Sequence, residues 1–112
     1  MYLTVLVCGG RDYLDESRVY AVLDDLRPSE VVHGGCPTGA DAFAGQWAKD
    51  RRIPCTVFEA DWKQYGKAAG PKRNQLMLDV GGVDIVLAFP GGSGTWDMVT
   101  RVRKDGYHLI CL

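Results

Sequence analysis

The chain has 112 residues, 46% of them apolar and 24% charged, with a formal net charge of -1. That length supports one buried core, so a single domain over 1–112 is expected. Interspersed charges of both signs exclude a duplex-coating polycation, and no apolar run approaches the length of a membrane span, so neither a nucleic-acid nor a membrane partner is expected.

In chain order, an apolar strand over 2–8 runs into "CGGRDY" and then a helix over 15–26, with Asp15 as its N-cap and Val19, Val22, Leu23 and Leu26 at core spacing before Pro28. A short strand over 31–33 leads through "HGGCPTGAD" to a helix over 38–52 that carries Phe43, Trp47 and Ala48 on one stripe. There "TGAD" reads as a capping box, with Thr38 as N-cap and Asp41 at the third helical position. A third strand over 54–58 is followed by 60–69, which reads as a loop or a short turn of helix. The next helix starts at "GPKRNQLM", with Gly70 as cap and Pro71 at its first position, and ends at Gly81 and Gly82. Finally a strand over 83–89, a helix from about 94 to 105 with Val99 and Val102 inward, and a strand over 107–112 complete the chain. The basic clusters at 49–52 and 101–104 fall at helix ends, where cations complement the macrodipole.

Strands apolar on both faces, alternating with helices, predict an α/β fold: a doubly wound, Rossmann-like, mostly parallel five-stranded sheet of order 3-2-1-4-5. The ligand crevice of such a sheet lies beyond the carboxyl ends of the strands where the order reverses, here between the first and fourth. The four cysteines, Cys8, Cys36, Cys55 and Cys111, show no metal-ligand spacing, so no metal site is expected. Cys8, Cys55 and Cys111 fall in or at the ends of strands read as buried, as small hydrophobes, and Cys36 falls in a Gly-rich loop. With no basic leader at the N-terminus, a cytoplasmic protein with reduced thiols is expected.

Three strand ends facing the predicted crevice are Gly-rich: "CGGRDY", "HGGCPTGAD" and "FPGGSGT". Such turns bring backbone N–H groups close to an anion, and a following helix offers unpaired donors and partial positive charge. Each loop alone is equally explained as a tight βα turn; the three together favour a ligand site. The candidates are Gly9, Gly10, Gly34, Gly35, Gly39 and the run Pro90, Gly91, Gly92, Ser93, Gly94 and Thr95 for phosphate, with Arg11 and Arg73 adding charge. Arg11 is alternatively a surface partner of Asp12 or Asp15. Arg73 stands in a first helical turn, against the macrodipole, and Asp41 and Asn74 are placed to face sugar or base. Trp47 reads as core, whereas Trp96 is a candidate for stacking on a base. The established phosphate fingerprints fail: Ala40 and Asp41 replace the Lys and Ser/Thr of a P-loop, and Asp97 stands at the third glycine of a G-x-G-x-x-G.

The blocks "GGRDY", "HGGCPTGADAFAGQWA", "DWKQYGKAAGPKRNQLM" and "LAFPGGSGTWDM" resemble the small cpYpsA-related, YspA-like branch of the SLOG superfamily. The resemblance implies a Rossmann-like protein that binds a nucleotide or nucleotide-derived small molecule, with no further cofactor. More distantly the chain resembles LOG-type phosphoribohydrolases, which cleave an N-glycosidic bond, carry P-G-G-x-G-T-x-x-E with an Arg-Lys pair, and imply a homodimer or higher homo-oligomer. Pro90, Gly91, Gly92, Gly94 and Thr95 match that motif and Arg73 falls on the arginine, but Asn74 replaces the lysine and Met98 the glutamate. Asp97 is one residue early, about 100° around a helix from the acid position. Glycosidic cleavage ordinarily needs a carboxyl group, so a sensor or sequestering protein is the expected function. LOG-like hydrolysis is the alternative, with Asp41, Arg73 and Asp97 as catalytic candidates.

Overall fold

A computed structural model describes residues 1–112. Five parallel strands, β1 (Thr4–Cys8), β2 (Glu30–His33), β3 (Cys55–Val57), β4 (Ile85–Ala88) and β5 (His108–Cys111), form one sheet of order β3-β2-β1-β4-β5. Between them run α1 (Glu16–Leu26), α2 (Gly39–Arg51), the single-turn α3 (Trp62–Tyr65), α4 (Ala69–Val80) and α5 (Ser93–Asp105). The architecture is the α/β Rossmann-like one that the sequence predicts.

Alternation along the strands divides the core into two layers. Val5, Val7, Val31, Leu87 and Phe89 face α1 and α2, where they pack on Val19, Leu23, Ala44 and Trp47. Leu6, Val32, Val86 and Ala88 face α4 and α5, where Met77, Leu78, Met98, Val99 and Val102 close the second layer. Trp47 is buried as expected, and its indole Nε1 donates to Asp24 Oδ1 at 2.9 Å. Val22, Leu26 and Phe43 are only half-buried flanks of the first layer.

Three expectations are corrected. Burial on both faces holds for the central strands but not at the sheet edges: all of β3 is exposed, as are His108 and Cys111 of β5. An edge strand has a neighbour on one side only, so Val, Ile and Cys there reflect β-propensity more than burial. Cys55 and Cys111 are accordingly exposed thiols, and Cys8 alone is a buried one. Second, helix α4 starts before Gly70, which is no cap: α3 and the 3-10 turn Gly66–Ala68 lead into it, and Gly70 lies against the Trp62 indole. Asp61 starts this segment by accepting from the Gln64 N–H at 3.1 Å.

The third correction concerns the start of α2. Thr38 occupies the N-cap position, but its hydroxyl donates to the Arg11 carbonyl at 2.8 Å and leaves the helix N–H groups alone. The Ala40 N–H instead donates to the Gly10 carbonyl at 3.3 Å. This contact presses α2 onto the β1–α1 loop so closely that a Cβ at Gly39 would collide with the Gly10 carbonyl and lie 2.7 Å from Arg11 Cα. Gly39 also has φ +75, in the left-handed region. Gly39→Ala should therefore lower stability by about 2–4 kcal/mol, from the backbone strain and overpacking together, in chemical denaturation. A loss under about 1 kcal/mol would show that the α2–loop contact yields easily.

Candidate functional site

A cavity of about 990 Å³ opens at the carboxyl ends of β1 and β4, where the strand order reverses. Its size is in the range of small-molecule and nucleotide sites. Gly9, Gly10, Arg11, Gly34, Asp41, Arg73, Asn74 and the whole run from Pro90 to Thr95 line it. Gly35, Gly39 and Asp97 do not. Asp12, Tyr13, Leu14, Cys36 and Met77 line it too, although the residue chemistry did not single them out. Most of these fall in the loops flanking the glycines, and that position was the only available signal. Trp96 is exposed outside this cavity, beside a smaller pocket next to β5.

The three glycine-rich loops differ in where their N–H groups go. In the first, Gly10 N–H donates to the Pro90 carbonyl at 2.9 Å and ties β1 to the β4–α5 loop. In the second, the donors turn inward: Gly34 and Cys36 N–H both reach Asp41 Oδ2, at 3.2 and 3.3 Å, and Gly35 N–H reaches His33 Nδ1 at 3.0 Å. An internal carboxylate and imidazole thus occupy the Gly34, Gly35 and Cys36 donors. In the third, Ser93, Gly94 and Thr95 have no acceptor within the protein for their N–H groups, and the N-cap Gly92 has no side chain to supply one. The first turn of the thirteen-residue α5 therefore opens three donors and the positive end of its dipole onto the cavity.

The charged candidates separate in the same way. Arg11 is exposed at the rim and forms no ion pair; the salt bridges of the chain are Arg51–Asp24 and Arg101–Asp97. Arg73 is held from several sides: Nη1 donates to the Gly34 carbonyl at 2.5 Å and Nε to Asn74 Oδ1 at 3.0 Å. Its guanidinium lies so close over Gly34 that a Cβ there would stand 2.6 Å from Nη1, so a larger residue at this position would displace the Arg73 side chain. Asn74 is buried and its Nδ2 donates to Asp97 Oδ2 at 2.9 Å and to the Gly94 carbonyl at 3.3 Å. Burial alone would raise the Asp97 carboxyl, but hydrogen bonds from Arg101 and Asn74 outweigh it and hold the group ionised below the ordinary Asp range. Met98, which the resemblance to LOG-type enzymes aligns with their acid, is fully buried in the second core layer.

Asp41 is the buried carboxyl of the cavity. Oδ2 holds the two loop amides, whereas Oδ1 accepts no hydrogen bond. Burial pushes this carboxyl above the ordinary Asp range, with His33, the two amides and Arg73 pulling back. Burial likewise pushes His33 below the ordinary imidazole range, against the pull of Asp41. The Cys8 thiol, buried near Asp41, is pushed up to about 12 by that burial first, and is inert as a nucleophile.

A family model described as YspA, cpYpsA-related SLOG family matches residues 3–65. The Gene 61 protein of Mycobacterium phage D29 is 37% identical over 118 residues, covering 95% of this chain and 93% of that protein. The chain belongs to the YspA, cpYpsA-related SLOG family. The SLOG match spans β1 through α3, including the first two glycine-rich loops, and the phage relative extends the similarity over nearly the whole chain. No helix of this SLOG protein is long and apolar enough to cross a membrane.

The His33 arrangement has a pH consequence. Neutral His33 accepts the Gly35 N–H through Nδ1, and protonation removes that acceptor. With a folded pKa below the unfolded one, its contribution is present above the unfolded pKa and is lost as pH falls toward the folded value. Asp41, shifted upward, acts in the opposite sense, because protonation relieves the cost of its buried charge. The denaturation midpoint should fall below pH ~6.5 in the wild type. It should fall less in His33→Asn, whose amide oxygen keeps an acceptor near Nδ1. Parallel pH profiles would show that His33 does not control the loop.

Proposed function

We propose that this protein binds a nucleotide-derived ligand, such as a phosphorylated nucleoside, an ADP-ribose-like molecule or a signalling nucleotide, as a sensor or sequestering protein. A phosphate sits on the Ser93, Gly94 and Thr95 N–H groups, Arg11 adds charge from the rim, and Asp41 Oδ1 accepts from a sugar hydroxyl. The observation that carries this reading is the open first turn of α5: three unpaired donors facing a nucleotide-sized cavity. SLOG membership and the Rossmann-like sheet support the same ligand class. Retention of the ligand intact follows from Met98, since the residue that would protonate a leaving group in a LOG-type enzyme is a core side chain.

A second reading is supported by Asp41, whose raised pKa and free Oδ1 suit a general acid for cleavage of an N-glycosidic bond. Incubation with a nucleotide panel, read by thermal shift and mass spectrometry together, separates the two. Binding without breakdown is the expected result, with Arg11→Ala weakening affinity about tenfold through loss of a charge-assisted contact. Turnover abolished by Asp41→Asn would favour the hydrolase, and absence of any stabilising nucleotide would sink both.

Restoring the LOG carboxyl should not restore cleavage. Met98→Glu places an unpaired charge among Leu6, Val86 and Val102, and should cost on the order of 4 kcal/mol of stability. A stable Met98→Glu protein that hydrolyses nucleotides would show that the position can reach the cavity.

A further inference from the structure

The Pro90–Thr95 run contains three glycines among six residues, so its shape is costly in backbone entropy and must be imposed from outside. Backbone contacts do part of this: Gly10 N–H on the Pro90 carbonyl, and Trp96 N–H on the Gly92 carbonyl at 3.0 Å. A single side chain reaches the run by hydrogen bonding, and that is Asn74, whose Nδ2 holds the Gly94 carbonyl at 3.3 Å. The same nitrogen donates to Asp97 Oδ2, one turn into α5, and Arg101 braces that carboxylate from behind at 2.8 Å. Asn74 Oδ1 is in turn oriented by Arg73 Nε, and Arg73 reaches back to the Gly34 carbonyl.

We infer that Asn74 and Asp97 are positioning residues for the anion seat: α4 fixes the first turn of α5 through them, and neither touches the ligand. This rests on the ligand-binding reading above only for its functional consequence; the positioning claim concerns the unliganded protein. The donor end of the amide is the required one. Nδ2 must donate, because both groups it meets, Asp97 Oδ2 and the Gly94 carbonyl, are acceptors. A carboxylate of the same size at position 74 would face both without a proton. Asn74 is buried, so water does not substitute for the missing donor.

Amide exchange in the unliganded protein tests the inference, using Asn74→Asp and the double variant Asn74→Asp with Asp97→Asn. The double variant restores a donor–acceptor pair between positions 74 and 97 with polarity reversed, but leaves the Gly94 carbonyl without a donor. Expected is about tenfold faster exchange at the Trp96 and Asp97 amides in both variants. The Val5 and Val7 amides, which report the global core, should slow back toward wild type in the double variant. Affinity for adenosine 5′-monophosphate should drop about tenfold in both variants, a loss that regained stability does not rescue. If Asn74→Asp does not fold, the double variant alone decides. Wild-type protection at Trp96 and Asp97 in a folded variant would overturn the inference. A wild type that fails to bind this probe counts against the ligand reading alone, because the exchange result stands without it.

Discussion

The backbone of Gly10 holds the site together. Its N–H donates to the Pro90 carbonyl at 2.9 Å, and its own carbonyl accepts from Tyr13 at 3.2 Å and Ala40 at 3.3 Å. One residue thus joins the end of β1 to the β4–α5 loop, to its own turn and to the start of α2. The approach to the β4–α5 loop is close, with a Cβ at Gly10 standing 3.0 Å from Gly91 Cα and 3.1 Å from the Pro90 carbonyl. Because these are backbone contacts, they bring the strand ends together without placing a side chain in the cavity between them.

From that constraint follows a division of labour among loops that look alike in composition. The first loop is a tie. The second is held from within, its amides bound to Asp41 and His33. The third leaves the first-turn donors of α5 free, because Gly92 caps that helix with no side chain. Glycine therefore permits close backbone packing at Gly10, Gly39 and Gly91, and at Gly92 leaves the start of α5 without a side-chain cap. The residues that resemble the LOG motif are held within the protein: Arg73 and Asp97 hydrogen-bond on either side of Asn74, and Met98 sits in the core.

The fold was legible because alternation of apolar runs, helix stops and short connections all agreed, and the strand order then located the crevice before any motif was weighed. Position along the chain also identified most cavity residues. What it could not give is the direction of a backbone N–H, which depends on dihedrals that glycine leaves open; Gly35 and Gly94 look equivalent in the sequence and are not. Asp41 read as a helix cap because T-x-x-D fits that motif, yet its carboxylate turns back to Gly34 and Cys36. Edge strands misled through Cys55 and Cys111, since propensity and burial coincide only where a strand has helices over it. The α3 turn had a readable signal in "DWKQ", an acid followed three residues later by Gln, which is a cap signature.

The central claim is that one helix terminus, and not the three glycine-rich loops jointly, takes the anion. Titration of isotopically labelled protein with adenosine 5′-monophosphate, following backbone amide resonances, addresses it most directly. Saturable shifts are predicted at Ser93, Gly94 and Thr95, with the Gly34, Gly35 and Cys36 amides unmoved because Asp41 and His33 already hold them. Saturable shifts at 34–36 with none at 93–95 would contradict the account.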